Sequence, residues 1–237
     1  MNESEYRIVT FDQTAGVRLG EDKRNAMLGD SATSNDAWTK AHAELAAVDK
    51  SGGLCEALSL KWLKVKFKEN STDEKYKDFG KIKSPDFKVN MVDREKTFDK
   101  AFARYAATAA DKRRGLEEYY GLDGQYEIMS LSPTNDGSGT SYVARTVADS
   151  THSYFLHSIV CPKFKGGLHA IAYYTSGGKG GLFKHVYMFD PDYGEYKVPN
   201  SKFIKWMPKF FNTFYGTEEG DSRWLKRMTL GTKRATP

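Results

Sequence analysis

Three segments, "SYFLHSIVC", "GLHAIAYYT" and "LFKHVYMFD", follow one another between residues 153 and 190, each rich in aromatic and β-branched residues and separated by Pro and Gly. This punctuated run constrains the fold more than any other feature. Segments of that composition are strands, and connections this short join antiparallel neighbours. "GEYKVP" from Gly194 adds a further short strand. The chain upstream has a different period. In "NDAWTKAHAELAAVDK", Asn35 or Asp36 caps a helix whose apolar stripe is Trp38, Ala41, Leu45 and Val48. A second helix is predicted from about Leu54 to Phe67, with Leu54, Leu58, Trp62 and Val65 on one face. Residues 96–122 read as one or two more helices, ending near Gly115 and Gly121. Helices first and antiparallel sheet second define an α+β fold class.

The remaining stretches are less periodic. "YRIVTF" at 6–11 is a short strand, and residues 12–35, rich in Gly, Asp, Ser and Asn, are loop. Residues 69–92 are charged with weak periodicity. "SPTNDGSGT" at 132–140 is a loop, Pro208 marks a helix start or a kink, and the chain beyond Gly216 is a polar tail. The organisation expected is an arm over 1–35 and a single domain over 36–237.

Composition removes several classes. No run of eighteen apolar residues exists, so no transmembrane segment is expected. "MNESEYRIVTFDQ" has neither the basic nor the apolar region of an ordinary secretory signal. A formal charge of +5 is mild for 237 residues, and no nucleic acid is required to explain it; the lysines at 61–68 and 75–88 read as solvated faces. Cys55 and Cys161 make a poor disulfide framework and read as two free thiols. His42 and Glu44 lack partners at ligand spacing, so neither a metal nor a cofactor is predicted. Cys161, before Pro162, reads as a buried strand residue.

Cys55 is placed differently. It follows the Gly52-Gly53 break and occupies the first turn of the predicted helix. Unpaired N–H groups and the helix dipole favour a thiolate at that position, and the glycines let a substrate chain pass close by. A small buried hydrophobe fits the same spacing. A reactive thiol needs a base, and five histidines are available: His42, His152, His157, His169 and His185. The late hairpin selects one. If its loop is Gly178–Gly181, His169 stands directly opposite Asp190; if the loop is Ser176–Gly181, Asp190 is a diagonal neighbour. Both registers keep the two side chains on one face, and His185 falls on the other. Cross-strand neighbours stand about 4.5–5.5 Å apart at Cβ, within hydrogen-bonding reach for these groups. Thiol, base and a group that orients the base are the parts of an activated nucleophile. An exposed hairpin histidine and a turn-forming aspartate in "DPDYG" are the alternative.

"GGLCEALSLKWL", "GGLHAIAYY" and "FDPDYGEY" resemble, in order, the three motifs of the YopT/AvrPphB-type cysteine proteases, a papain-like group of bacterial effectors. The resemblance runs from about Asp49 to Tyr215 and extends to the aromatic segment with Trp206, Phe210, Phe211 and Tyr215. It implies a papain-like fold, helical N-terminal half against antiparallel sheet, and a thiol protease without cofactor. Carried over, Cys55 is the nucleophile, His169 the general base and acid, and Asp190 the orienter. Candidates for the oxyanion hole are the Cys55 backbone N–H and the side chains of Asp49 or Lys50. The implied function is an endopeptidase acting as an effector or toxin on a specific intracellular protein of a host or rival bacterial cell. It would be secreted without an ordinary signal peptide and act in the target-cell cytoplasm, and an immunity protein or inhibitor is a compatible partner. The basic balance argues for a substrate with acidic residues near the cut. The same three residues also serve an acyltransferase or transglutaminase, and a catalytically silent binding module is the remaining alternative. The glycine-rich loop between His169 and Asp190 is long for the family, which predicts a different rim to the site.

Overall fold

The structure, a computed structural model, describes residues 5–9, 54–69, 109–129, 138–161, 167–177, 183–215 and 221–231. Apart from residues 5–9, the predicted arm lies outside the described residues, as do the helix from Asn35, the Asp49–Lys50 pair and the charged stretch beyond Glu69. In chain order the elements are β1 (Arg7–Val9), α1 (Leu54–Glu69), α2 (Ala109–Tyr120), β2 (Leu122–Met129), α3 (Ser138–Asp149), β3 (Ser153–Cys161), β4 (Gly167–Thr175), β5 (His185–Asp190), β6 (Gly194–Pro199), α4 (Asn200–Tyr215) and β7 (Asp221–Leu230). The strands form one seven-stranded sheet in the order β1-β6-β5-β4-β3-β7-β2. Each neighbouring pair runs antiparallel.

Helices cover both faces. On one, α1 lies on β4 and α2 packs against α1 and β2; on the other, α3 and α4 pack together, with α4 also on β5 and β6. The central strands therefore bury both sides, which is why "GLHAIAYYT" reads as an almost unbroken apolar run. Its even-numbered residues Ala170, Ala172 and Tyr174 join the core under α1, while Ile171 and Tyr173 join the core under α4.

α1 follows β4 closely. Ser59 donates its hydroxyl proton to the Ala170 carbonyl at 3.0 Å, and the Cys55 thiol approaches the Leu168 carbonyl at 3.9 Å. Four helical residues advance about 6 Å and two strand residues about 6.6 Å. One helical turn thus matches one pleat, and alanines at 170 and 172 leave room for the helix.

The sheet corrects several expectations. α2 runs straight through Gly115 and ends at Gly121, whose φ of +66° suits glycine and whose N–H donates to the Glu118 carbonyl at 2.9 Å. Residues 138–140 are not loop but the first residues of α3. α4 begins at Asn200 and continues past Pro208. The polar tail is not a tail: residues 221–230 form β7, wedged between β3 and β2. The hairpin register also differs from both predicted ones. Ala172 faces Phe189 and Thr175 faces Val186, so one step further along, Asp190 lies across from Ile171, diagonal to His169. The cause is a turn set nearer β5, closed by the Ser176 N–H on the His185 carbonyl at 2.9 Å and by the His185 N–H on the Ser176 hydroxyl at 2.9 Å. The glycine-rich loop itself, residues 178–182, lies outside the described residues.

Candidate active site

Cys55 is the second residue of α1 and is buried. His169 lies near the start of β4, the middle strand, and Asp190 is the last residue of β5 beside it. The structure brings all three together. The His169 Nε2 is 3.0 Å from Asp190 Oδ1, and the Cys55 side chain hydrogen-bonds the same imidazole. Parity explains the choice of histidine. His185 is on the opposite face of β5, with its Nδ1 2.7 Å from the Phe183 carbonyl. His157 is fully buried on β3, where its Nδ1 meets the Tyr173 hydroxyl at 2.9 Å.

The electrostatics separate the two buried histidines. Burial acts to lower the His169 pKa. The charge and hydrogen bond of Asp190, reinforced by the hydrogen bond and charge of Cys55, outweigh it and hold the imidazole well above the usual histidine range. That direction favours the imidazolium form of His169. Burial, and then the charge on His169, push His157 down to about 3, so it stays neutral. Tyr173 beside it is held well above the usual tyrosine range by burial and by the charge on Asp190.

Asp190 is tied on every side. Oδ1 also accepts the Asp192 N–H at 2.9 Å, and Oδ2 accepts the Tyr215 hydroxyl proton at 2.6 Å. The Tyr193 N–H donates to the Asp190 carbonyl at 3.2 Å, which closes the turn into β6. The Asp192 carboxylate stands 3.8 Å from His169 Nδ1. The sequence alone does not single out Asp192, and it presents Tyr215 only as part of an aromatic segment. Only the meeting of β5 with the end of α4 reveals their position. Asp49 and Lys50 lie outside the described residues, as does the side chain of Cys161, the last residue of β3.

A family model described as Yersinia/Haemophilus virulence surface antigen, Peptidase_C58, matches residues 30–231. The chain belongs to the Peptidase_C58 family. It is a papain-like cysteine protease, a hydrolase of a bacterial virulence family. No curated protein sequence matches the chain. Among solved structures it is similar to the Pseudomonas avirulence protein AvrPphB, with a TM-score of 0.50 and 19% identity, covering 74% of this chain and 91% of that one. That likeness speaks to the fold, and it agrees with the α+β class expected from the order of elements and with the papain-like fold that the YopT/AvrPphB-type motifs imply. No described helix is long and apolar enough to cross a membrane.

Proposed function

We propose that this Peptidase_C58 member is an endopeptidase whose catalytic triad is Cys55, His169 and Asp190, within a single protease domain spanning 36–237. The observation that carries the reading is one imidazole bonded to Asp190 at 3.0 Å through Nε2 and to the Cys55 side chain as well. With Nε2 committed to Asp190, Nδ1 is the nitrogen that exchanges a proton with the sulfur.

The thiolate attacks the scissile carbonyl carbon, forming a C–S bond and an oxyanion that the Cys55 backbone N–H faces. The imidazolium gives its Nδ1 proton to the leaving amine as the C–N bond breaks. Water, deprotonated by the now neutral imidazole, attacks the thioester. The C–S bond breaks, and thiolate and imidazolium return. Asp190 fixes the ring orientation and stabilises its charge throughout. The natural substrate is a specific protein inside a cell into which the enzyme is delivered.

The test is the rate of iodoacetamide alkylation at Cys55 against pH, together with mass spectrometry of a protein substrate pool. The wild type is expected to alkylate rapidly down to acidic pH, and His169→Ala to lose that acid-side reactivity. Proteolysis is expected to fall by about 10⁴-fold or more in Cys55→Ala. An ordinary thiol pH profile in both proteins would overturn the triad, and acyl adducts in place of cut chains would make the enzyme a transferase.

A further inference from the structure

The mechanism needs Asp190 to keep one oxygen on His169 Nε2. A carboxylate's terminal torsion is broad, so the bond to histidine does not by itself fix it. The contacts around Asp190 supply the rest. Oδ1 accepts from His169 and from the Asp192 N–H, and Oδ2 accepts from Tyr215 at 2.6 Å, a short, charge-assisted distance. With both oxygens engaged, rotation of the carboxylate would break a bond whichever way it turned. Tyr215 also lays its ring 5.5 Å from that of His169, so one side chain touches both members of the pair.

Tyr215 is itself held in place. It is the last residue of α4, buried, with the rings of Phe211 and Tyr193 at 5.8 and 5.5 Å. The Tyr193 hydroxyl donates to the Phe214 carbonyl at 3.3 Å, using one of the carbonyls that a helix end leaves without an intrahelical partner. The turn after Asp190 and the last turn of α4 are therefore joined at two points: Tyr215 reaches to Asp190, and Tyr193 reaches back to Phe214. The C-terminal end of a helix carries partial negative charge, which favours an imidazolium close to it.

We propose that Tyr215 is a positioning residue of the protease, clamping Asp190 through its hydroxyl so that the imidazole of His169 stays aligned with Cys55. The proposal rests on the triad reading given above. A tyrosine that merely satisfies its own buried hydroxyl predicts a change in stability alone. A clamp predicts a change in the reactivity of Cys55, at the other end of the chain Tyr215–Asp190–His169.

The experiment compares wild type, Tyr215→Phe and His169→Ala by two readouts that need no substrate: the pH profile of iodoacetamide alkylation at Cys55, and the downfield proton resonance of the His169 ring N–H. Tyr215→Phe keeps the ring and removes the hydroxyl. It is expected to slow alkylation about tenfold near neutral pH and to shift or broaden the ring N–H resonance, with thermal unfolding still cooperative. Wild-type alkylation and an unshifted resonance in Tyr215→Phe, alongside the loss in His169→Ala, overturn the clamp and leave the triad standing. No loss in His169→Ala overturns the triad itself. If Tyr215→Phe does not fold, 3-fluorotyrosine at position 215 keeps the shape and makes the hydroxyl a stronger donor; an unmoved resonance there also overturns the clamp.

Discussion

The two faces of the sheet are built differently, and the candidate active site takes its parts from both. Under α1 the core mixes leucine and alanine, among them Leu58, Leu60, Leu63, Ala170 and Ala172, with stacked rings such as Trp62 on Phe189 at 5.8 Å, and it is crossed by ion pairs. Lys66 meets Glu195 at 2.9 Å, with its ammonium 5.3 Å from the Trp62 ring and 5.0 Å from the Tyr187 ring. Lys226 meets Glu117 at 2.6 Å, and Arg113 holds Glu56 at 2.8 Å. Under α4 the core is aromatic, with Phe203, Trp206, Phe210, Phe211, Tyr173 and Tyr196, and its polar pair is the neutral His157–Tyr173 contact. Cys55 rides on the first face, and the surroundings of His169 and Asp190 come from the second. Directional bonds such as Ser59 to Ala170 fix how far α1 slides along β4, whereas close-packed rings fix where His169 and Asp190 stand. One face sets a register and the other sets an orientation.

That contrast can be attacked from either side. The largest effect is expected at Phe210, whose ring contacts Tyr193, Phe214 and Tyr215. Phe210→Ala should cost about 3–5 kcal/mol in denaturant unfolding and should also slow Cys55 alkylation, because it loosens the end of α4. A loss of stability with unchanged alkylation would mean that the aromatic face does not orient His169. Next is Glu195→Ala, which removes a buried carboxylate partner of the Lys66 ammonium and should cost about 3 kcal/mol. The double variant Lys66→Met/Glu195→Leu should recover most of that loss yet alkylate more slowly than wild type, since the link from α1 to β6 is gone. Full recovery of both would show that the ion pair does not set the register.

The smallest expected effect is a slope. The folded state holds His157 near 3, against about 6.5 for an unfolded histidine. Between those values the unfolded chain binds a proton that the folded chain refuses. Stability from this residue is thus complete above about 6.5 and falls as pH drops, by about 1.4 kcal/mol per pH unit. His169 acts in the opposite sense: its raised pKa contributes stability that is complete below about 6.5 and is lost as pH rises through its folded value. His157→Gln should flatten the unfolding free energy between pH 6 and 4. An unchanged slope would show that His157 is protonated in the folded protein.

The strands that flank His169 and Asp190 were legible in the sequence because their composition is local: aromatic and β-branched residues between glycines. So was the shared face of His169 and Asp190, since parity survives a shifted register when the shift is even. The β2–β7 half of the sheet was not. "DSRWLKRMTL" reads as polar because the partner that neutralises Lys226 is Glu117, 109 residues away. "LDGQYEIM" reads as broken by a glycine. A Cβ at Gly124 would stand 3.0 Å from the Lys226 and Met228 side chains, so the apparent strand-breaker is what lets β2 close against β7. α3 was hidden by its Ser-Gly-Thr opening, which resembles the loop before it. Tyr215 could be seen only as one aromatic among several, because its role depends on Asp190, 25 residues earlier on another element.

The Cys55 sulfur and the Leu168 carbonyl it approaches are 113 residues apart in the chain. Closing loops of that length must come before any reward from the contacts they make, which slows assembly. A partly folded chain already holds its cysteine and its histidine, yet they do not meet until α1 has docked along a completed β4. Under the proposed triad the thiol's reactivity is therefore a clock for folding: rapid alkylation of Cys55 during refolding dates the moment the sheet accepts its helix, and until then cysteine and histidine share a chain without sharing a site.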